Sequence, residues 1–577
     1  MTDDGVAEAE LVVATYREIE RELTAVGAPF ETVEVSESGG TVRSYKQVAE
    51  NFYDVVEAIE ERYADNILTV RQQAWTYGEV FSRARRLAGA LSEIHGIGPG
   101  DRVGIMMANQ PYYLVSLFAI TRIGAVAVLY NSRSSRAEIS VATSDVRSSV
   151  IIADPKRIAL IDQSASDSVL ISTEPIDGAD IATLPELIEG AGKDGARCRV
   201  APESVCMILF TSGTSGRAKG VLLTHRNLGN VVLNMRYVLE CNLRFAARQY
   251  GISVDEIRAF MPQMSSLLIF PLFHVSGFAA LMVTMESGGL VATMEGWDPE
   301  LAAGLVEEHK LTLMAGPPMV VDELLMQPSA PERLGSLMNV VPGGQVTPSN
   351  VKSKIATTLP NAQRSSGWGM TETGGSVCTA NGALLGSFPE TLGPLSPTMD
   401  ARVMDADGHE VPPGSVGELE LRGGLVMAGY AGPDGTAVET PGRWFRTGDL
   451  GYIDEFGLVY IVDRAKDIVI SAGENISCVE VENVLIASDW FVEVAAFGVP
   501  DDRLGERLVA VVTLRDGQSA TEDDIRDLAR ESLPGYKIPA EIIFDAGPLP
   551  RNATGKLVKR TLRATYLDRH HTTASVT

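Results

Sequence analysis

The chain has 577 residues, too many for one hydrophobic core, so two or more domains are expected. A hydrophobic share of 45% and a charged share of 21% are those of an ordinary globular protein. Lys plus Arg number 49 against 75 Asp plus Glu, and a net charge of −26 argues against a primary role on nucleic acid or anionic lipid.

The first segment, 1–45, is an acidic leader in which the only basic residues up to position 42 are Arg17 and Arg21. It predicts a helix from about Val6 to Val26 and then a loop. An acidic start argues against a secretory signal, which begins with positive charge. Next, Tyr77–His95 reads as an amphipathic helix, Arg102–Met107 as a strand, Tyr112–Ile123 as a helix and Ala125–Leu129 as a strand, punctuated by Gly98-Pro99-Gly100-Asp101 and Gly124. That alternation implies a parallel sheet covered by helices, and it recurs from Leu267 to Ser365. After about Gly382 the texture turns to short strands with many Gly and Pro, a β-rich part reaching about Ile461. The remainder mixes helices and strands, and the polar end, 568–577, is expected to be disordered. Five scattered cysteines without a C-x-x-C pair fit a reduced, cytoplasmic protein and exclude a disulfide framework. No apolar run reaches the ~18 residues of a membrane span. The longest, Ser266–Thr284, is interrupted by Pro271, His274 and Gly277.

Five clusters carry chemistry. In the first, the apolar run Val205–Phe210 leads into Thr211-Ser212-Gly213-Thr214-Ser215-Gly216-Arg217-Ala218-Lys219-Gly220. Glycines turn backbone N–H groups inward, hydroxyls add donors and Lys219 adds charge, which together make a phosphate cradle. The spacing is not that of a Walker A loop, because Gly220 and the apolar Val221-Leu222-Leu223 follow the lysine before Thr224 offers a helix cap. The second, Ser366-Gly367-Trp368-Gly369-Met370-Thr371-Glu372-Thr373, offers a flat face for a base, a hydroxyl for phosphate and a carboxylate for magnesium. The third, Trp444 to Gly451, puts Asp449 on a tight turn, where a carboxylate can accept both hydroxyls of a ribose. The fourth, Asp463-Arg464-Ala465-Lys466-Asp467-Ile468 with Ser471-Ala472-Gly473-Glu474, has the composition of a hinge. The fifth, Pro550-Arg551-Asn552-Ala553-Thr554-Gly555-Lys556, presents a cation on a Gly-containing loop.

Taken in this order over about 345 positions, the clusters resemble the signature set of the adenylate-forming superfamily, and the likeness covers roughly residues 50–565. That superfamily holds acyl- and aryl-CoA synthetases, firefly-type luciferases and the adenylation domains of peptide synthetases. Departures are mild: Ser215 stands where Thr is commoner, Ala218 and Cys478 where Pro is usual, and Trp368 where Tyr is frequent. The resemblance implies an α/β fold. A large N-terminal domain (46–463), with two helix-flanked mixed sheets and a small β-rich subdomain, would precede a small mobile α+β C-terminal domain (464–567). It also implies ATP, Mg²⁺ and coenzyme A as cosubstrates and cofactor. Residues 211–216 and Lys219 would hold the β- and γ-phosphates, Trp368 with Gly369 and Met370 would lie at the adenine, and Gly343, Gly344 and Gln345 would face it. Thr371 would touch the α-phosphate, Glu372 would ligate Mg²⁺, and Asp449 would hold the ribose beside Arg464. Lys556 would bridge carboxylate and α-phosphate in the first half-reaction. Rotation about Lys466 would then withdraw it and bring Gly473 and Glu474 beside the thiol.

By the same resemblance, Leu272-Phe273-His274-Val275-Ser276-Gly277 edges the acyl pocket, and His274 stands where amino-acid-activating members carry Asp. A free α-amino acid is therefore not expected. His274, Gly277, Phe278 and Met282, with Ala279 and Ala280, predict an apolar wall suited to a fatty or alicyclic acid. With no carrier-protein segment visible after Lys556, CoA is the expected acceptor. The alternatives are a ligase loading a carrier protein, an aryl-CoA ligase, and a regulator that binds without catalysis; the last would have lost one of Thr371, Glu372, Asp449 or Lys556. The partners are small molecules. Peripheral membrane contact and the oligomeric state stay open, a dimer being compatible with the chain.

Overall fold

The computed structural model describes residues 3–37, 40–163, 167–211, 218–343, 347, 349–432, 444–472, 474–501, 503–552 and 556–574. Two helix-covered sheets fill the larger part. The first has seven strands in the order Gly429–Tyr430, Lys219–Thr224, Val205–Thr211, Val126–Leu129, Arg102–Met106, Val150–Ala153 and Val169–Ser172. The last five run parallel, while Lys219–Thr224 folds back antiparallel on Val205–Thr211. Strands such as Val150–Ala153 are buried along their whole length, which is why they read as unbroken apolar runs rather than alternations. The second sheet has eight strands, six of them parallel, running from Gln363–Met370 at one end to Ile67–Val70 at the other. An antiparallel strand closes each end. The main apolar cluster lies between these sheets and their helices, around Phe81, Phe118, Leu209 and Phe278.

The expected helix Tyr77–His95 has those bounds because Thr76 and Glu79 form a reciprocal cap at its start and Gly96 turns left-handed at its end. The neighbouring expected strands and helix fall within one residue of their observed limits. The β-rich part is a four-stranded antiparallel sheet of Met399–Met404, Gly417–Gly423, Phe445–Ile453 and Val459–Arg464. A single 3₁₀ turn, Ala465–Asp467, leads from it into a last five-stranded sheet that begins with Ile468–Ser471.

Six helices position the site: α1 (Asp3–Thr24), α2 (His225–Tyr250), α3 (Val254–Phe260), α4 (Val275–Glu286), α5 (Cys478–Ile486) and α6 (Lys559–Ala574). Thr224 caps α2 as its side chain anticipates, in a reciprocal pair with Asn227. Among the described residues no helix is long and apolar enough to cross a membrane.

Two expectations need correction. The leader does not pass into a loop after its helix: Thr32–Glu37 pairs antiparallel with Gly40–Tyr45. Alternation of Val33 and Val35 with Glu34 and Ser36 is the strand signal there, and the acidic composition hides it. The polar end is also helical as far as Ala574. Leu562 and Tyr566 seat α6 against Phe497 and Val509, and once such a helix is nucleated each further residue adds at little cost.

Candidate active site

One cavity of about 3150 Å³ runs between the two main sheets and the last sheet, and residues from all five clusters line it. Thr211 and Lys219 face each other as the cross-strand pair at the mouth of a hairpin. Ser212, Gly213, Thr214, Ser215 and Gly216, which join them, lie outside the described residues, as do Gly344, Gln345 and Gly473. The Lys219 ammonium sits 4.7 Å from the centre of the Tyr430 ring, and the Tyr430 hydroxyl donates to Glu372 Oε1 at 2.8 Å. A cation, an aromatic and a carboxylate thus form one chain. Tyr430 escaped sequence reasoning; its signal was Gly429-Tyr430 following the apolar Leu425-Val426-Met427. Thr371 and Glu372 sit on a 3₁₀ turn, and the Met427 N–H fixes that turn by donating to the Glu372 carbonyl at 2.8 Å.

Gln363–Met370 supplies the next group. Gly369 lies so close to the neighbouring strand that a Cβ would fall 2.0 Å from the Gly375 carbonyl, so only glycine fits. Trp368, 8% exposed, packs with Met370, Val377 and Cys378 and lines the cavity. Its indole N–H donates to Asp449 Oδ2 at 2.8 Å. Arg464, the cross-strand partner of Asp449, places its Nε 2.6 Å from Oδ1. Gly448 takes a left-handed turn (φ +70°), and Asp449 N–H donates to the Thr447 hydroxyl at 3.1 Å. Burial raises the Asp449 pKa, against the opposing pull of Arg464, the Trp368 hydrogen bond and Lys556. Asp449 and Arg464 come together as the sequence leads one to expect.

At the other end, His274 caps α4, accepting from the Ser276 N–H at 3.3 Å, and its ring stacks 6.3 Å from Phe270. Burial, and secondarily the Lys556 charge, lowers its pKa to about 4, so it is neutral at physiological pH. Gly343 and His274 line the cavity, whereas Gly277, Phe278 and Met282 do not. Phe278 packs 5.8 Å from Phe52, and Met282 is fully buried in the same cluster. Gly277 serves a close approach, since a Cβ there would lie 2.1 Å from the Pro271 carbonyl. On a helix of 3.6 residues per turn the cavity face is Ala279, Ala280 and Val283, and the opposite face belongs to the core.

The last sheet closes the site. Lys556 is open to the cavity yet ringed by protein; this enclosure, with Arg464 and Lys466, lowers its pKa, while Asp449 and Asp467 oppose the shift. Its loop is anchored on both sides. The Lys556 N–H donates to Asn552 Oδ1 at 2.9 Å, and Lys559 on α6 meets Glu482 on α5 at 2.7 Å. Lys466 is exposed at the cavity edge, and Glu474 starts the strand beyond the undescribed Gly473. Cys478 opens α5, where Ser477 caps the helix and Asp463 Oδ2 accepts from both the Ser477 hydroxyl and the Val479 N–H.

One cavity thus gathers a strand hairpin with a lysine, a buried carboxylate paired to an arginine, and a second lysine delivered by the last sheet, as enzymes that form adenylates require. The chain belongs to the AMP-binding enzyme family: the family model matches residues 56–431, and the model of the AMP-binding enzyme C-terminal domain matches 480–556. Its activity class is that of an AMP-forming acid–CoA ligase. A feruloyl-CoA synthase of an Amycolatopsis species is 33% identical over 498 residues, covering 85% of this chain and 94% of the relative. A long-chain-fatty-acid–CoA ligase of Bacillus subtilis is 29% identical over 529 residues, covering 86% and 91%. Among solved structures, ATP-bound MatB from Rhodopseudomonas palustris superposes with a TM-score of 0.76 at 28% identity, covering 89% of this chain and 99% of MatB.

Proposed function

We propose that the acid is an apolar one, fatty or alicyclic, and that the acceptor is coenzyme A. In the first half-reaction a carboxylate oxygen bonds to the α-phosphorus of ATP while the bond to pyrophosphate breaks. In the second, the thiol sulfur bonds to the acyl carbon, the bond to AMP breaks and the thiol proton leaves to solvent. Thr211 and Lys219 hold the outer phosphates, Thr371 meets the α-phosphate, and Asp449, aimed by Trp368 and Arg464, takes the ribose hydroxyls. The hard oxygen donors of Glu372 and Thr371 suit Mg²⁺. A magnesium ion held there would supply charge to offset that of the phosphates.

The observation that carries this reading is the place of Lys556. It lines the same cavity as His274 and Asp449, and its charge is felt by both. A cation between an acyl-facing histidine and a nucleotide-facing aspartate stands where carboxylate oxygen and phosphorus must meet, and charge fixed in advance at that point lowers the barrier. His274, being neutral, adds no second cation to the acid's side. After the adenylate forms, Lys556 must leave for a thiol to enter; the 3₁₀ turn at Lys466 is the hinge for that motion.

Pyrophosphate release with Mg-ATP and CoA across short and long fatty, alicyclic, aryl and amino acids tests the reading. Activation of fatty or alicyclic acids supports it. Activation confined to amino acids or short polar acids, or acyl transfer only to a carrier protein, overturns it. Aryl acids are the second reading, favoured by the identity to the feruloyl-CoA synthase.

A further inference from the structure

Helix α1 lies outside the matched family region, which begins at residue 56, yet it is bound tightly to a wall of the acyl cavity. That wall is α2, which has two faces. Met235, Leu239, Asn242, Ala246 and Tyr250 recur at helical spacing and line the cavity. Tyr237, Cys241, Arg244, Phe245 and Arg248 lie on the opposite face, and α1 takes all five. Ile19 and Leu23, both fully buried, pack with Tyr237 and Cys241. The Tyr16 ring stacks on Phe245 at 4.8 Å. Arg248 meets Glu18 at 2.8 Å and Glu22 at 2.6 Å, and Arg244 meets Glu22 at 3.4 Å. One bond crosses the helix: the Tyr16 hydroxyl donates at 3.0 Å to Oδ1 of Asn242, a residue that lines the cavity.

Among the described residues the outer half of α2 is held by α1, by Phe30 and Tyr45 beside Tyr237, and by the short helix α3. From Met235 to Tyr250 the wall runs about 22 Å at 1.5 Å per residue. Beyond it, α3 carries Ile257 and Phe260 at the cavity rim, fastened to α2 through the Arg258–Glu240 pair. Phe260 is 85% exposed and Tyr250 70% exposed, so the rim opens to solvent. Near His274, by contrast, the cavity is walled by α4 and by the main core, independently of α1.

We infer that α1 is a specificity-determining brace: by fixing the outer half of α2, it creates the far portion of the acyl site and so selects carboxylic acids with elongated apolar tails. This rests on the apolar-acid reading above. A short acid touches only the His274 end and is indifferent to α1; a long one must lie along Leu239, Ala246 and Tyr250.

The test measures kcat/KM for pyrophosphate release with a short and a long saturated fatty acid. It uses the full chain and the variants Tyr16→Phe, Tyr16→Ala, Arg248→Glu and Arg248→Glu/Glu18→Arg. With Tyr16→Ala and Arg248→Glu, the long-acid value falls about tenfold or more, as misplacement of a binding wall remote from the chemistry permits, while the short-acid value and KM for ATP stay within about twofold. Tyr16→Phe, which keeps the ring and loses the bond to Asn242, gives a smaller change in the same direction, and the charge swap restores long-acid activity. Equal loss on both acids, or an unchanged ratio, overturns the inference even where the protein activates fatty acids. A protein that activates only short acids overturns it too. If no fatty or alicyclic acid is activated by the unaltered chain, the parent reading fails, and the variants are not needed to see it.

Discussion

The two ends of the cavity are built on opposite principles. At the proposed nucleotide end polar groups are held in directional pairs: Asp449 between Trp368 and Arg464, Glu372 on Tyr430, Tyr430 beneath Lys219. At the acyl end the wall is apolar, partly open and held from behind by a helix that touches no reacting atom. The difference teaches where specificity can drift. A directional contact is lost by moving an atom or deleting a group, so the nucleotide end tolerates little change. A wall asks only for volume and can be lengthened by adding a helix and something to prop it.

The sharpest way to break this comparison is Lys556→Ala. Pyrophosphate release should fall about 100-fold or more, the scale of losing one preorganised charge stabiliser, while thioester formation from supplied acyl-adenylate stays within several-fold. Equal losses would mean that the lysine serves both steps and that no hinge withdraws it. Asp449→Ala comes next: KM for ATP should rise about 10- to 100-fold in adenylation, the worth of charged hydrogen bonds, with KM for the acid nearly unchanged. A rise in both would show the two ends to be coupled rather than separate. Trp368→Phe removes one N–H and keeps the packing, so about a three- to tenfold rise in KM for ATP is expected, near 1 kcal/mol.

The smallest effect is on pH. His274 titrates near 4 when folded and near 6.5 when unfolded, so the unfolded chain binds more protons between those values. Its contribution to stability is full above pH 6.5 and is lost as pH falls toward 4. His225, also held near 4 by burial, acts in the same window. His274→Asn keeps the helix cap and removes the titration, so the fall in Tm between pH 6.5 and 4 should be shallower than in the parent protein. An identical slope would mean that His274 is not buried as described.

What could be read in the sequence follows the same division. Lys556, Asp449, Thr371 and Glu372 stand in short motifs because each must offer one functional group at one place. The strand–helix alternation was legible as well, down to the Tyr77–His95 helix with its Thr76–Glu79 cap. The acyl wall was not. The apolar run after Phe273 gives composition but not helical phase, so Phe278 and Met282 read as pocket when their side chains belong to the core. Trp368 read as an aromatic at the cavity, which it lines, but a motif shows no neighbours, so its N–H bond to Asp449 and its packing opposite Cys378 could not be read from it. The bracing role of α1 is equally invisible, since salt bridges such as Glu18–Arg248 join residues some 230 positions apart.

One detail of the nucleotide end has a practical use. Of the five tryptophans in the chain, Trp368 is the one whose indole N–H is bound to the carboxylate that the ribose must share. Indole emission responds to charge at its ring nitrogen, so, on the proposed ribose role of Asp449, nucleotide binding should alter the light this residue returns. A fluorescence titration with ATP or AMP would then follow occupancy of the proposed site without any added label.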